Sequence, residues 1–130
     1  MLFAVALPMG KILLLEDDSH YRGIIERVLS RNFPCTVTSV ATEMQAWEEL
    51  SKEDFDLVLL DLYIDGRGCW ETLKRVVSHP ARPVAIVLSC EDTQANSDRA
   101  VSLGAYAFLS KPINFLRLKM TIDTVIREER

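Results

Sequence analysis

The stretch FDLVLLDLYIDGRG, Phe55 to Gly68, decides how this chain is read. Leu57 to Leu60 form a run of four apolar residues that ends abruptly in Asp61. That pattern suits a strand buried on both faces of a parallel sheet, with its last side chain at the rim. In an open α/β sheet the crevice beyond the carboxyl ends of the strands is where ligands collect, so Asp61 is a candidate nucleophile or metal ligand. The competing reading is that Asp61 caps the next turn, as Asp often does. On this stretch alone the two weigh equally.

Upstream, Ile12 to Leu15 is a second apolar run, and it too meets acid: Glu16, Asp17 and Asp18. The period then changes. Tyr21, Ile24, Ile25, Val28 and Leu29 make one apolar stripe on a helix that stops before Pro34. Cys35 to Val40 reads as a short strand. Thr42 and Gln45 have capping-box spacing ahead of a second helix that buries Ala46, Trp47 and Leu50.

Downstream of the Gly66/Gly68 turn, Cys69, Leu73, Val76 and Val77 mark a third helix, closed by His79-Pro80. Val84 to Leu88 is the fourth strand and ends in Ser89. Thr93 to Leu103 should be a helix with Gly104 just past it, but its first half, TQANSD, is polar, so it is expected to be the least firmly held. Ala105 to Leu109 is the fifth strand, followed by Ser110-Lys111-Pro112. Phe115, Leu118, Ile122 and Val125 line the last helix.

The chain has 130 residues, suited to one domain. Apolar residues at 48% and charged residues at 26% are ordinary globular usage. The net charge of -4, without a Lys/Arg cluster, argues against a nucleic-acid surface. Cys35, Cys69 and Cys90 form no CxxC pair, which suits a reducing, cytoplasmic setting and argues against a disulfide framework or a zinc site. Met1 to Leu7 is apolar but far short of the ~20 residues of a bilayer span, and it lacks the cationic start of a signal peptide. Residues 1–10 are therefore expected to be an N-terminal extension and 11–130 the folded domain.

Strands alternating with helices imply a doubly wound parallel sheet, and right-handed crossovers leave few arrangements, of which 2-1-3-4-5 is expected. It places strands one and three side by side where the winding reverses, so that Glu16, Asp17 and Asp61 open into one crevice. Ser89 and Lys111 end two further strands at the same rim. One such ending means little, whereas several together are hard to explain as caps. Crowded carboxylates hold a proton unless a cation lies between them, and oxygen ligands with open positions favour Mg²⁺. With Lys111 as a second positive charge and Ser89 as a hydroxyl donor, this is equipment for accepting a phosphoryl group. Asp61 would become an acyl phosphate, adding roughly two negative charges that Ser89 can answer by drawing its loop inward.

ILLLEDD with Asp17, LLD with Asp61, LSC with Ser89, and FLSKP with Lys111 and Pro112 resemble the receiver domains of two-component response regulators. The match runs from Lys11 to the C-terminus. A flavodoxin-like (βα)5 fold in the order 2-1-3-4-5 belongs to that family, so the order is carried by the resemblance and is no independent derivation. The resemblance implies Asp61 as phosphoacceptor. It implies a Mg²⁺ ion, with Mn²⁺ as the substitute, on Asp17, Asp61 and the Tyr63 carbonyl, with Glu16 holding a metal-bound water. Lys111 would pair with the phosphoryl group, Ser89 would be the hydroxyl switch and Phe108 the aromatic switch. A histidine kinase or histidine phosphotransfer protein would be the donor. The surface of the fourth helix, fifth strand and fifth helix would relay the change to an output domain or a second copy, with neither nucleic acid nor membrane as a direct partner.

The segment LYIDGRG lacks the Pro usual after the acceptor Asp and is one residue short before Gly66, which leaves Tyr63 the least secure ligand. Cys90 stands where Ala or Gly usually follows the switch hydroxyl, and it is read as a small buried filler. Tyr63 and Glu91, each two positions past Asp61 and Ser89, flank the path of an attacking water and are expected to set the phosphoryl lifetime. His20 and His79 are read as surface residues. The chain ends in REER with no effector attached, so a stand-alone receiver and the receiver of a longer regulator or hybrid kinase are both open. Two other classes compete: a receiver-like module that docks a partner without phosphorylation, and a flavodoxin-like enzyme binding FMN or cleaving phosphoesters. The second is disfavoured because no phosphate cradle follows the first strand.

Overall fold

The computed structural model describes residues 10–128. Their elements are β1 (Gly10–Leu15), α1 (Ser19–Asn32), β2 (Cys35–Val40), α2 (Glu43–Lys52), β3 (Leu57–Asp61), β4 (Tyr63–Ile64), β5 (Arg67–Gly68), α3 (Trp70–Val77), β6 (Val84–Ser89), α4 (Gln94–Ser102), β7 (Ala107–Ser110) and α5 (Phe115–Glu128). β1, β2, β3, β6 and β7 make one parallel sheet in the order β2-β1-β3-β6-β7. This is the expected order, since β6 and β7 are the fourth and fifth strands of the sheet. The extension expected over residues 1–10 lies, up to Met9, outside the described residues, and Gly10 already pairs with Cys35 as the first residue of β1.

The continuous apolar runs exist because alternate residues enter different cores. Ile12, Leu14, Leu57, Leu59, Ile86 and Leu88 pack beneath α1 and α5, against Ile25, Leu29, Leu118, Ile122 and Val125. Leu13, Leu15, Val58, Leu60, Ala85 and Val87 pack on the opposite face with Ala46, Leu50, Leu73, Val76 and Ala100 of α2, α3 and α4. β1 and β3 therefore have no solvated side: Ile12 to Leu15 and Leu57 to Leu60 are all buried. Of the nine described residues of α4, Ala100 alone is buried, as its polar first half predicts.

Instead of a plain turn, Tyr63–Ile64 and Arg67–Gly68 pair as a two-residue antiparallel hairpin. Asp65 and Gly66 at its tip have φ of 52° and 73°, the left-handed pair of a type I′ turn, for which Asp-Gly is a preferred sequence. His79 also departs from its surface reading. It is half-buried, with Nε2 2.9 Å from the Leu50 carbonyl and Nδ1 accepting the Ala81 N–H at 3.0 Å, so it ties the end of α3 to α2. Among the described residues, no helix is long and apolar enough to cross a membrane.

Candidate functional site

The sheet register builds the site. Leu15 lies opposite Leu60, so the next residues, Glu16 and Asp61, end neighbouring strands at the same height. Period-two alternation carries Glu16 on from Ile12 and Leu14, and Asp61 from Leu57 and Leu59. Lys111 continues from Ala107 and Leu109 in the same way, placing all three at the α1/α5 face of the rim. The Lys111 ammonium donates to Glu16 Oε1 at 2.6 Å and to Asp61 Oδ2 at 3.0 Å. Carboxylate oxygens of Glu16, Asp17 and Asp61 all lie within 4.8 Å of one another. The five sequence-derived residues at the core of the site are thus partly assembled: four converge here, and Ser89 faces elsewhere.

Neighbouring groups fix this arrangement. The Asp18 N–H donates to Glu16 Oε2 at 3.2 Å, and Arg22 Nη1 donates to the Glu16 carbonyl at 2.6 Å. The Tyr63 N–H donates to Asp61 Oδ1 at 3.2 Å. Lys111 Nζ sits 4.7 Å from the centroid of the Tyr21 ring, whose hydroxyl accepts the Ile113 N–H at 2.7 Å. Tyr21 and Arg22 were missed as site residues because a helical stripe of apolar spacing does not reveal what its first turn touches.

The electrostatics follow from burial. Glu16 is fully buried, and that desolvation lifts its carboxyl above the usual range; the Asp61 charge adds to the rise, while Lys111 pulls against it. Burial pulls the Lys111 ammonium down, but the bonds and charges of Glu16 and Asp61 outweigh it, and the net shift is upward. Lys111 therefore stays charged. One ammonium beside three carboxylates leaves negative charge uncompensated, and the donors are oxygen only. That set suits a hard divalent cation, so the residues present fit a metal ion.

The hairpin after Asp61 sets the direction of the Tyr63 backbone. The Cys69 N–H donates to the Leu62 carbonyl at 2.6 Å, so Leu62–Cys69 is a hydrogen-bonded pair and the next pair, Tyr63–Gly68, is not. The amide and carbonyl of Tyr63 hence point out of the hairpin, on the side where its N–H meets Asp61.

Ser89 and Phe108 occupy the other face. Ser89 follows Ala85 and Val87 toward α3 and α4, and Phe108 packs half-buried against that same core from β7. Val87 lies opposite Phe108 and Ser89 opposite Ser110, so Ser89 is the diagonal neighbour of Phe108. The buried Ser89 hydroxyl accepts the Glu91 N–H at 2.9 Å. Cys90, in contrast to its reading as a buried filler, is exposed: the strand ends at Ser89, so Cys90 lies past the cover that the helices give the sheet. It lines a cleft of about 520 Å³ shared with Asp17, Asp61, Tyr63 and Lys111.

The model of the response regulator receiver domain matches residues 12–123. The chain belongs to that family. It is 29% identical over 126 residues to the DNA-binding transcriptional regulator NtrC of Bradyrhizobium sp., covering 95% of this chain and 26% of that protein. It is 31% identical over 122 residues to the 3′,5′-cyclic-nucleotide phosphodiesterase regA of Dictyostelium discoideum, covering 90% and 15%. The chain thus spans about a quarter or less of the length of these curated relatives. Among solved structures, the signal receiver domain of the DNA binding response regulator protein merR from Colwellia psychrerythraea 34H superposes with a TM-score of 0.84 at 29% identity, over 91% of this chain and 98% of that one. As a receiver domain, the chain is a signalling module of two-component systems, with an acidic cluster compatible with a divalent metal.

Proposed function

We propose that this receiver accepts a phosphoryl group on Asp61 from a histidine kinase or histidine phosphotransfer protein and passes the change on through α4, β7 and α5. The observation that carries the reading is the Lys111 ammonium set between Glu16 and Asp61, with Asp17 alongside. A carboxylate oxygen of Asp61 attacks phosphorus in line; the P–O bond forms as the P–N bond to the donor imidazole breaks, and the imidazole nitrogen leaves with the electron pair. Lys111 donates to Asp61 Oδ2 and so stands beside the incoming phosphoryl oxygens, where its charge answers theirs. Asp17, Asp61 and the Tyr63 carbonyl, with Glu16 nearby, would hold Mg²⁺, or Mn²⁺ in its place, which would supply neutralisation of phosphoryl charge.

The phosphorylated Asp61 then presents new acceptor oxygens, and Ser89 exchanges its bond from the Glu91 N–H for donation to one of them. Phe108, diagonal to Ser89, moves into the space so released. In this role the chain works in the cytoplasm as a phosphorylation switch, with an output domain or a second copy as the reader.

Incubation with phosphoramidate and Mg²⁺ tests the reading. The chain should gain the mass of one phosphoryl group, and Asp61→Asn should gain none. A parent chain that stays unmodified while it binds partners would point to a docking module instead.

A further inference from the structure

Asn96, in the first turn of α4, donates through Nδ2 to Tyr63 Oη at 3.2 Å and to the Glu91 carbonyl at 3.0 Å. Those partners hold matching positions. Tyr63 is two residues past Asp61 and gives its N–H to Asp61 Oδ1; Glu91 is two residues past Ser89 and gives its N–H to Ser89 Oγ. One amide from α4 therefore joins the segment after the acceptor to the segment after the hydroxyl. Its own backbone is anchored, since the Asn96 N–H donates to the Thr93 cap at 3.2 Å.

We propose that Asn96 is a positioning residue: it clasps the Ser89 loop in the outward arrangement and so opposes the conformation that a phosphorylated Asp61 favours. The inference rests on the phosphoacceptor reading above. Ser89 cannot turn its hydroxyl toward Asp61 while Oγ is engaged by the Glu91 N–H, and the Glu91 segment cannot shift freely while its carbonyl is tied to α4. Breaking the clasp is thus part of switching. A group that binds only one of two states biases the balance by its differential free energy, and two hydrogen bonds of ordinary net strength correspond to about 10-fold.

Removal of the clasp leaves little damage behind. Glu91 is exposed and Tyr63 half-exposed, so water can replace the amide at both acceptors, and Ala is the better helix former at an α4 position. The clasp also explains why α4, with Ala100 as its buried residue, keeps a defined place beside the hairpin.

The test is titration of the intact chain with beryllofluoride in saturating Mg²⁺, alongside titration with Mg²⁺ alone, for the parent, Asn96→Ala and Tyr63→Phe. The phosphoryl analogue should bind about 10-fold tighter to Asn96→Ala and about 3-fold tighter to Tyr63→Phe, which loses one of the two bonds. Mg²⁺ alone should bind Asn96→Ala as it binds the parent. A merely structural role would lower the melting temperature and weaken both ligands. Unchanged or weaker beryllofluoride binding by a folded Asn96→Ala or Tyr63→Phe overturns the clasp while leaving Asp61 as the acceptor. A parent chain that binds Mg²⁺ but no beryllofluoride removes the phosphoacceptor reading, and the clasp with it.

Discussion

The two halves of the rim are held by different forces. The acid half stands on β1 and β3, whose apolar residues are buried on both faces, and its charged groups meet at 2.6 and 3.0 Å within that shelter. The α4 half stands on Ala100, on Asn96, and on Arg99 stacked 4.0 Å from the centroid of the Trp70 ring. Buried apolar area resists opening up to the global stability, whereas half-exposed polar contacts compete with water and open at lower free energy. On the phosphorylation reading proposed above, the groups that keep fixed distances would sit on the firm part and the element that moves on the loose one.

The largest test is in the core under the acids. Leu59 is fully buried between α1 and α5, and Leu59→Ala should cost about 4 kcal/mol of global stability, read by urea denaturation. Native-state hydrogen exchange should at the same time leave the local opening of α4 unchanged. Amides of α4 that exchange as slowly as those of β1 and β3 in the parent chain would erase the contrast.

Lys111→Met sharpens it from the electrostatic side. The substitution leaves Glu16 and Asp61 facing each other without their shared cation, which should cost about 3 kcal/mol or more near neutral pH in the absence of divalent ions. The sign follows from Glu16, whose carboxyl is already raised by burial and by Asp61 and loses the Lys111 pull. A raised carboxyl prefers the protonated fold, so the deficit grows as pH rises from the ordinary carboxylate range through the folded value and shrinks on acidification. Denaturation midpoints across that range, with and without Mg²⁺, check both points; a deficit that is flat with pH would place its origin in packing.

The acid half was readable in the sequence because its logic is local and periodic. Counting by twos from Leu14, Leu59 and Leu109 puts Glu16, Asp61 and Lys111 on one face, and counting from Val87 puts Ser89 on the other. What stayed hidden depends on partners far along the chain. The hairpin after Asp61 has strands of two residues, too short for any period, and Asp65-Gly66 was its one signal. His79 bonds a carbonyl of α2, and Asn96 and Arg99 read as a solvated helix face until Tyr63 and Trp70 are seen beside them. Cys90 follows the last residue of its strand, where burial on both faces ends and alternation no longer says what is covered.

The smallest effects separate the halves by their helix caps. Asp18 accepts the Tyr21 N–H at 3.0 Å at the start of α1, and Thr93 accepts the Asn96 N–H at 3.2 Å at the start of α4. The Tyr21 bond holds the Asp18 carboxyl below its usual range, so its stabilisation is present above the ordinary carboxylate range and is lost as pH falls through the folded value. Asp18→Ala should therefore lower global stability at neutral pH and cease to matter in strong acid. Thr93 has no charge to lose: Thr93→Ala should weaken α4 by about 1 kcal/mol at every pH, seen in exchange of α4 amides ahead of any change in the global midpoint. If Thr93→Ala lowered global stability by as much as it loosens α4, the helix would unfold together with the sheet, and the contrast between the two halves would fail.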